Sequence, residues 1–160
     1  MKTEFDYASL KKKYDTKIVR RLNDMKDRFK DVSNAKGNPV IYSVYIKDFG
    51  AFEYGLTVIE PGTINSEFYM TKGHRHKKPV EEIYILLNGK GKLLIQDKNG
   101  RTKAFSLKKE KIYIIPKKAG HRLINTGNRR LEVLTIYSKN AGHDYDFKFK
   151  KRIFKNKHKI

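Results

Sequence analysis

The stretch TKGHRHKKPVEEIYILLNG, residues 71–89, decides how the rest of the chain is read. His74 and His76 are separated by one residue, and in an extended chain successive side chains alternate faces. Both imidazoles therefore project to the same side and can present two nitrogens to one ion. The run EEIYILLNG then opens with Glu81 and Glu82, continues as an apolar strand and ends at the turn signal Asn88-Gly89. One of those glutamates can close on the same ion from the neighbouring strand. A fourth ligand has to come from far along the chain, and His121 in IIPKKAGHRLIN, between two β-rich runs, is the candidate. Three imidazoles and one carboxylate suit one divalent ion per chain, iron, manganese, nickel or zinc, and leave coordination positions open to a substrate.

Outward from this stretch the chain continues in the same style. VIYSVYI, FEYGLTVI, SEFYMT, EIYILL, GKLLIQ, TKAFSL, KIYIIP, HRLIN and LEVLTIY follow one another, punctuated by DFG, EPG, NGKG, DKNG and NTGN. Short β-rich runs between tight turns predict an all-β sandwich or barrel. Closure hides the edge strands and leaves room for one small ligand among the inward side chains.

Before Pro39 the pattern differs. Leu10, Tyr14, Ile18, Leu22, Met25, Phe29 and Val32 recur three or four apart among charged neighbours, which favours helix. The alternative is a short edge strand over KIVRRL and a helix over NDMKDRFKDV capped by Asn23. The organisation that follows is an N-terminal arm over 1–38, with a short helix, packing on a single-domain barrel over 39–147. A basic C-terminal tail over 148–160 follows.

Lys and Arg number 37 against 17 Asp and Glu, a net charge of +20. A polyanion partner would release counterions from clustered basic residues. Here only KFKKRIFKNKHKI is dense, and no zinc-finger, RNA-recognition or helix-turn-helix pattern occurs, so no specific nucleic-acid partner is expected. A small anionic ligand fits the positive field as well. The chain has no cysteine, which excludes disulfide and thiolate chemistry. No apolar run approaches the roughly 20 residues of a membrane span, and MKTEFDYASLKKK lacks an apolar leader, so the cytoplasm is the expected compartment.

The histidine and glutamate spacing resembles the two motifs of the cupin superfamily, small double-stranded β-helix (jelly-roll) barrels. In the first motif a glycine follows the glutamate after six intervening residues, and counting back from Gly89 selects Glu82. Strand alternation agrees that only one glutamate shares the ligand face, with Tyr84 and Leu86 beside it and Glu81 turned to solvent. In the second motif Pro116, His121 and Asn125 stand at the expected intervals, while Lys118 and Glu110 replace glycines. His74, His76, Glu82 and His121 are the implied metal ligands.

The whole chain also resembles the archaeal cupin-type glucose-6-phosphate isomerases. VRRLNDM, PVIYSVY, LTVIEPG, EFYMTKGHRH, EEIYILLNGKGKLLIQ, GHRLINTG and IYSKNAGHDY carry the resemblance. It implies a homodimeric, metal-dependent aldose-ketose isomerase acting on a phosphorylated hexose. Glu82 would also serve as catalytic base. Tyr42, Thr57, Thr71 and the Gly73 amide would hold the phosphate, and Tyr84, Tyr137, His143 and Tyr145 would line the sugar site, with Tyr84 and His143 near the chemistry. Residue types alone would make His143 and Tyr145 turn residues, and His158 has no role. Arg75 stands where relatives carry an aromatic, and alternation points it away from the ion. Thr71 and Gly73 have the opposite parity to His74, so phosphate and ion share one chamber only if the chain turns near Gly73. Other readings are a sugar-phosphate sensor without turnover, or another cupin metalloenzyme acting on a different phosphosugar.

Overall fold

Strand β7 (Glu82–Asn88) shows how side-chain alternation builds the interior: Glu82, Tyr84 and Leu86 are buried, and Ile83, Ile85 and Leu87 only half-buried. The computed structural model describes residues 4–155. Its remaining strands are β1 (Thr16–Arg21), β2 (Val40–Asp48), β3 (Phe52–Ile59), β4 (Thr63–Ile64), β5 (Glu67–Phe68), β6 (Arg75–His76) and β8 (Gly91–Gln96). They continue with β9 (Thr102–Ser106), β10 (Ile112–Ile115), β11 (Gly120–Asn125), β12 (Leu131–Ser138) and β13 (His143–Asp144).

Six strands form one sheet in the order β1-β2-β3-β12-β7-β10, and three form a second in the order β11-β8-β9. Tyr84, Leu86 and Val133 from the larger sheet join Leu93, Leu123 and Ile124 from the smaller in one buried cluster. Packing two such inner faces together is what a jelly roll requires. The outer face of the larger sheet carries Leu56, Val58 and Leu134, and the N-terminal arm covers them with the fully buried Leu10.

The arm departs from the helical expectation. KIVRRL is the edge strand β1, in antiparallel register with β2 from Thr16 opposite Ile46 to Arg21 opposite Val40. The segment expected to be a helix capped by Asn23 is instead two single 3-10 turns, Leu22–Asp24 and Lys26–Arg28. The backbone amides of Leu22 and Asn23 are taken by Pro39 O at 3.0 Å and Asn38 Oδ1 at 2.8 Å. Leu22, Met25 and Phe29 still bury their side chains in the barrel core, so the apolar spacing reports depth and not helical hydrogen bonding. The other described helical segment, Tyr7–Lys11, is also 3-10.

Glu110 and Lys118 keep the turn geometry of the glycines that they replace, with φ of 64° and 61°. A side chain in this region costs about 1–2 kcal/mol of backbone strain per residue. Lys118 offsets part of it by reaching the Lys77 carbonyl with its ammonium. The tail is less detached than its charge suggests. Phe68 N–H donates to Ile153 O at 3.2 Å, Lys155 N–H donates to Ser66 O at 2.7 Å, and Phe149 packs against the core. His158 and the rest of 156–160 lie outside the described residues. Among the described residues no helix is long and apolar enough to cross a membrane.

Candidate active site

The two motifs meet through a small piece of antiparallel pairing. His74 N–H donates to His121 O at 3.2 Å and His121 N–H donates to His74 O at 2.8 Å, which brings their rings to 4.3 Å between centroids. His76 follows on β6, and Glu82 enters from the head of β7. One ligand atom from each of His74, His76, Glu82 and His121 lies within 4.8 Å of all the others. Arg75, between the two histidines, points outward to Asp144 at 2.7 Å, and Glu81 is exposed beside Lys117.

The hydrogen bonds behind this cluster indicate what its centre needs. His121 Nδ1 lies 3.1 Å from Ala119 O and His76 Nδ1 3.4 Å from Val80 O. A carbonyl can only accept, so each Nδ1 carries the proton and each Nε2 presents a lone pair inward. Glu82 Oε2 sits 2.9 Å from His121 Nε2 and 3.2 Å from His76 Nε2, yet these atoms and His74 Nε2 are buried with no hydrogen-bond partner. Lone pairs facing a carboxylate at such distances repel unless a cation lies among them or the rings are doubly protonated. Several imidazolium ions cannot be crowded here cheaply, because burial first, and then the charge of His121, push His74 well below its ordinary pKa. The donor set, three imidazoles and one carboxylate, fits a divalent ion.

Beside the cluster is a cavity of about 260 Å³, close to the lower end of the roughly 300–1,000 Å³ common for small-molecule sites. Its lining unites the residues proposed for the sugar and the phosphate. Tyr42, Thr57, Thr71, Gly73, Tyr84, Tyr137, His143 and Tyr145 all line it. The parity conflict at residues 71–74 is resolved by Gly73, whose φ of 69° turns the chain so that Thr71, Gly73 and His74 all reach the cavity. His143 lies opposite His76 in the β6–β13 pair, with its ring 4.4 Å from that of His74 and stacked on Tyr145 at 5.7 Å. These two turn residues are therefore brought to the site by a two-residue ladder.

The chamber favours neutral hydroxyls and a neutral imidazole. Burial, then the Glu82 charge, pushes the Tyr84 phenol well up. Burial and then Glu53 do the same to Tyr137, and burial lowers His143. Six lining residues, Ile18, Val44, Ile46, Glu53, Leu123 and Thr135, went unassigned by sequence reasoning. Arg20 did too: it faces Tyr42 across the β1–β2 pair, and its charge acts on the Tyr42 and Tyr145 phenols. Alternation along KIVRRL, with Ile18 and Arg20 on one face, is the signal that would have found the pair.

Residues 22–155 match the family model described as glucose-6-phosphate isomerase. The chain belongs to the glucose-6-phosphate isomerase family. It is 40% identical over 139 residues to the glucose-6-phosphate isomerase of Thermococcus litoralis, covering 81% of this chain and 73% of that one. It is 37% identical over 139 residues to that of Pyrococcus abyssi, with coverage of 81% and 74%. Among solved structures it resembles oxalate oxidase bound to glycolate, with a TM-score of 0.56 and 16% identity over 74% of this chain and 63% of the other. An oxalate decarboxylase gives a TM-score of 0.54 at 20% identity over 74% of this chain and 34% of the other. The chain spans less than two thirds of either structure, and at these identities the likeness is one of fold, the cupin jelly roll.

Proposed function

We propose that this chain is a metal-dependent aldose-ketose isomerase interconverting glucose 6-phosphate and fructose 6-phosphate. The observation that carries the reading is the joining, in one chamber, of an inward-facing His/Glu ligand set with hydroxyls and a turned glycine amide suited to phosphate oxygens. His74, His76, Glu82 and His121 would hold one ion, with iron, manganese, nickel and zinc as candidates. When bound, the ion supplies Lewis acidity to the oxygens at C1 and C2 of the opened sugar.

The phosphate would lie against Tyr42, Thr57, Thr71 and Gly73. Thr71 Oγ1 accepts from Leu123 N–H at 3.1 Å, so its own proton remains to be donated. Tyr42 Oη accepts from Lys72 N–H at 3.4 Å, which ties the hydroxyl to the Thr71–Gly73 segment. Tyr84, Tyr137 and Tyr145 would position the sugar hydroxyls, and the neutral His143 can pass a proton between ring oxygen and hydroxyl as the sugar opens.

Glu82 is the carboxylate proposed to carry the proton between C2 and C1. A cation held by this carboxylate would lower its proton affinity, so Glu82, as a ligand, is a weak proton acceptor. This favours a second route in which hydride moves directly between C2 and C1 and Glu82 serves only as a ligand. On that route, turnover of C2-deuterated glucose 6-phosphate keeps deuterium in the hexose. Its loss to solvent would restore Glu82 as the base.

The function is tested by a coupled assay of fructose 6-phosphate conversion with chelated protein and with each candidate metal restored. Activity should vanish on chelation and return with at least one ion. Binding of sugar phosphate without turnover under every metal would replace the isomerase with a sensor. The assembly proposed is a homodimer.

A further inference from the structure

A second, smaller cavity of about 90 Å³ is walled by Arg28, Arg122, Arg152, Lys148, Asp27, Phe147 and Phe149, of which Arg122 and Phe149 pack against the Thr71–Gly73 segment. Its floor is a pair of buried guanidinium groups: Arg28 is 8% exposed and Arg122 4%. Arg28 Nε and Nη1 and Arg122 Nε are fully buried, with no hydrogen-bond partner among the described residues.

The carboxylates nearby leave the cluster with an excess of positive charge. Glu67, 2% exposed, is taken up by Arg152 Nη1 at 2.9 Å and by the Lys30 amide at 2.7 Å. Asp27 Oδ2 is 2.9 Å from Arg28 Nε, but outside hydrogen-bond geometry and on a side chain 56% exposed. Arg122 uses Nη2 on Lys72 O at 2.7 Å and stacks on Phe149 at 4.5 Å. Arg28, Arg122, Arg152 and Lys148 thus face two carboxylates. Burying charge in excess of its partners is destabilising, so a fold that keeps these guanidinium groups together, with Arg28 Nη1 and Arg122 Nε buried and without a hydrogen-bond partner, calls for an anion between them.

We propose that this cavity binds a tetrahedral oxyanion, inorganic phosphate or the phosphate head of a small ester, separately from the sugar chamber. Planar guanidinium forks arriving from the 3-10 turn, from β11 and from the tail match phosphate oxygens, which accept from several directions at once. The volume corresponds to about three waters at ~30 Å³ each, enough for a phosphate group but not for a buried nucleotide. Lys148, exposed at the rim, supplies the charge that meets the incoming ion.

The test is thermal unfolding of the metal-loaded full chain in phosphate-free buffer, titrated with sodium phosphate against sodium chloride at equal ionic strength. A ligand that binds the native state raises Tm with its concentration. Phosphate should raise Tm beyond chloride. The concentration giving half the shift should increase about tenfold or more in Arg28→Gln and about threefold in Lys148→Ala, with KM for fructose 6-phosphate unchanged in both. Thr57→Val, in the sugar chamber, should keep a phosphate shift. Lys148→Ala changes an exposed residue and so carries the test if Arg28→Gln fails to fold. Glycerol phosphate, run in parallel, distinguishes the sources: a stronger response than to inorganic phosphate assigns the site to an ester, a weaker one to the free ion. No phosphate shift beyond chloride, or a shift that neither Arg28→Gln nor Lys148→Ala weakens, overturns the proposal.

Discussion

Glu82→Gln is expected to lower kcat/KM for fructose 6-phosphate by about a thousandfold or more and to strip the protein of bound metal, with its fold intact. The substitution keeps the shape of a side chain that is 3% exposed, and removes the single negative charge among three imidazoles. A divalent ion loses its only anionic ligand of that set, while Nε2 of His76 and His121 face an amide that can donate to them. The metal-free form is therefore relieved of lone-pair repulsion as the metal-bound form is weakened, and both changes shift the balance toward the empty site. Lewis-acid stabilisation supplies several kcal/mol to the transition state, and each 1.36 kcal/mol is tenfold in rate, which gives the magnitude. Metal content after dialysis, by elemental analysis, separates this from a purely catalytic defect. A variant that retains one equivalent of metal but is inactive would make Glu82 a proton carrier; one that retains both metal and activity would remove it from the site.

Much of this centre was legible in the sequence because its parts obey short-range rules. The one-residue spacing of His74 and His76 and the buried alternation of Glu82, Tyr84 and Leu86 follow from strand geometry alone. His121 stood out as a candidate between two β-rich runs, and the resemblance then assigned it as a ligand, since the pairing of residue 74 with residue 121 is a contact across the barrel that no local pattern encodes. His143 and Tyr145 were legible only in the same way: a two-residue pairing with β6 is too short to leave a periodic signature.

In the arm the alternative of an edge strand over KIVRRL holds, while the helix expected after it was misread for a different reason. Leu22, Met25 and Phe29 have helical spacing and are buried, but Asn38 and Pro39 take the amides of residues 22 and 23 from outside the segment. Tertiary hydrogen bonds overrode the local pattern. The basic tail hid its structure as well, because its charge reads as a solvated face while Phe149 and Arg152 are drawn inward by Gly73 and Glu67. The buried guanidinium groups of Arg28 and Arg122 are 94 residues apart in sequence and become a cluster only in the fold.

Gly73→Ala is the second substitution with a large expected effect, because residue 73 is constrained by backbone and packing together. Its φ of 69° is a left-handed conformation that costs alanine about 1–2 kcal/mol. The new Cβ would lie 2.5 Å from Phe149 Cε2, 2.9 Å from Phe149 Cζ and 3.0 Å from Arg122 Cβ. Phe149 can swing only by giving up its stack on Arg122, and Arg122 is anchored to Lys72 O within the same segment. The strain is therefore released by moving the Thr71–Gly73 backbone, which is proposed to hold the phosphate and which leads directly into His74. A displacement of this kind should raise KM for fructose 6-phosphate about tenfold or more, since each 1.4 kcal/mol of lost binding is a factor of ten. Metal content should fall much less than in Glu82→Gln, because His76, Glu82 and His121 keep their supports. Adding Phe149→Ala removes the clash but not the φ strain, so partial recovery of KM in the double variant is the expected outcome, read against Phe149→Ala alone. A single variant with unchanged KM would show that the phosphate is held elsewhere in the chamber.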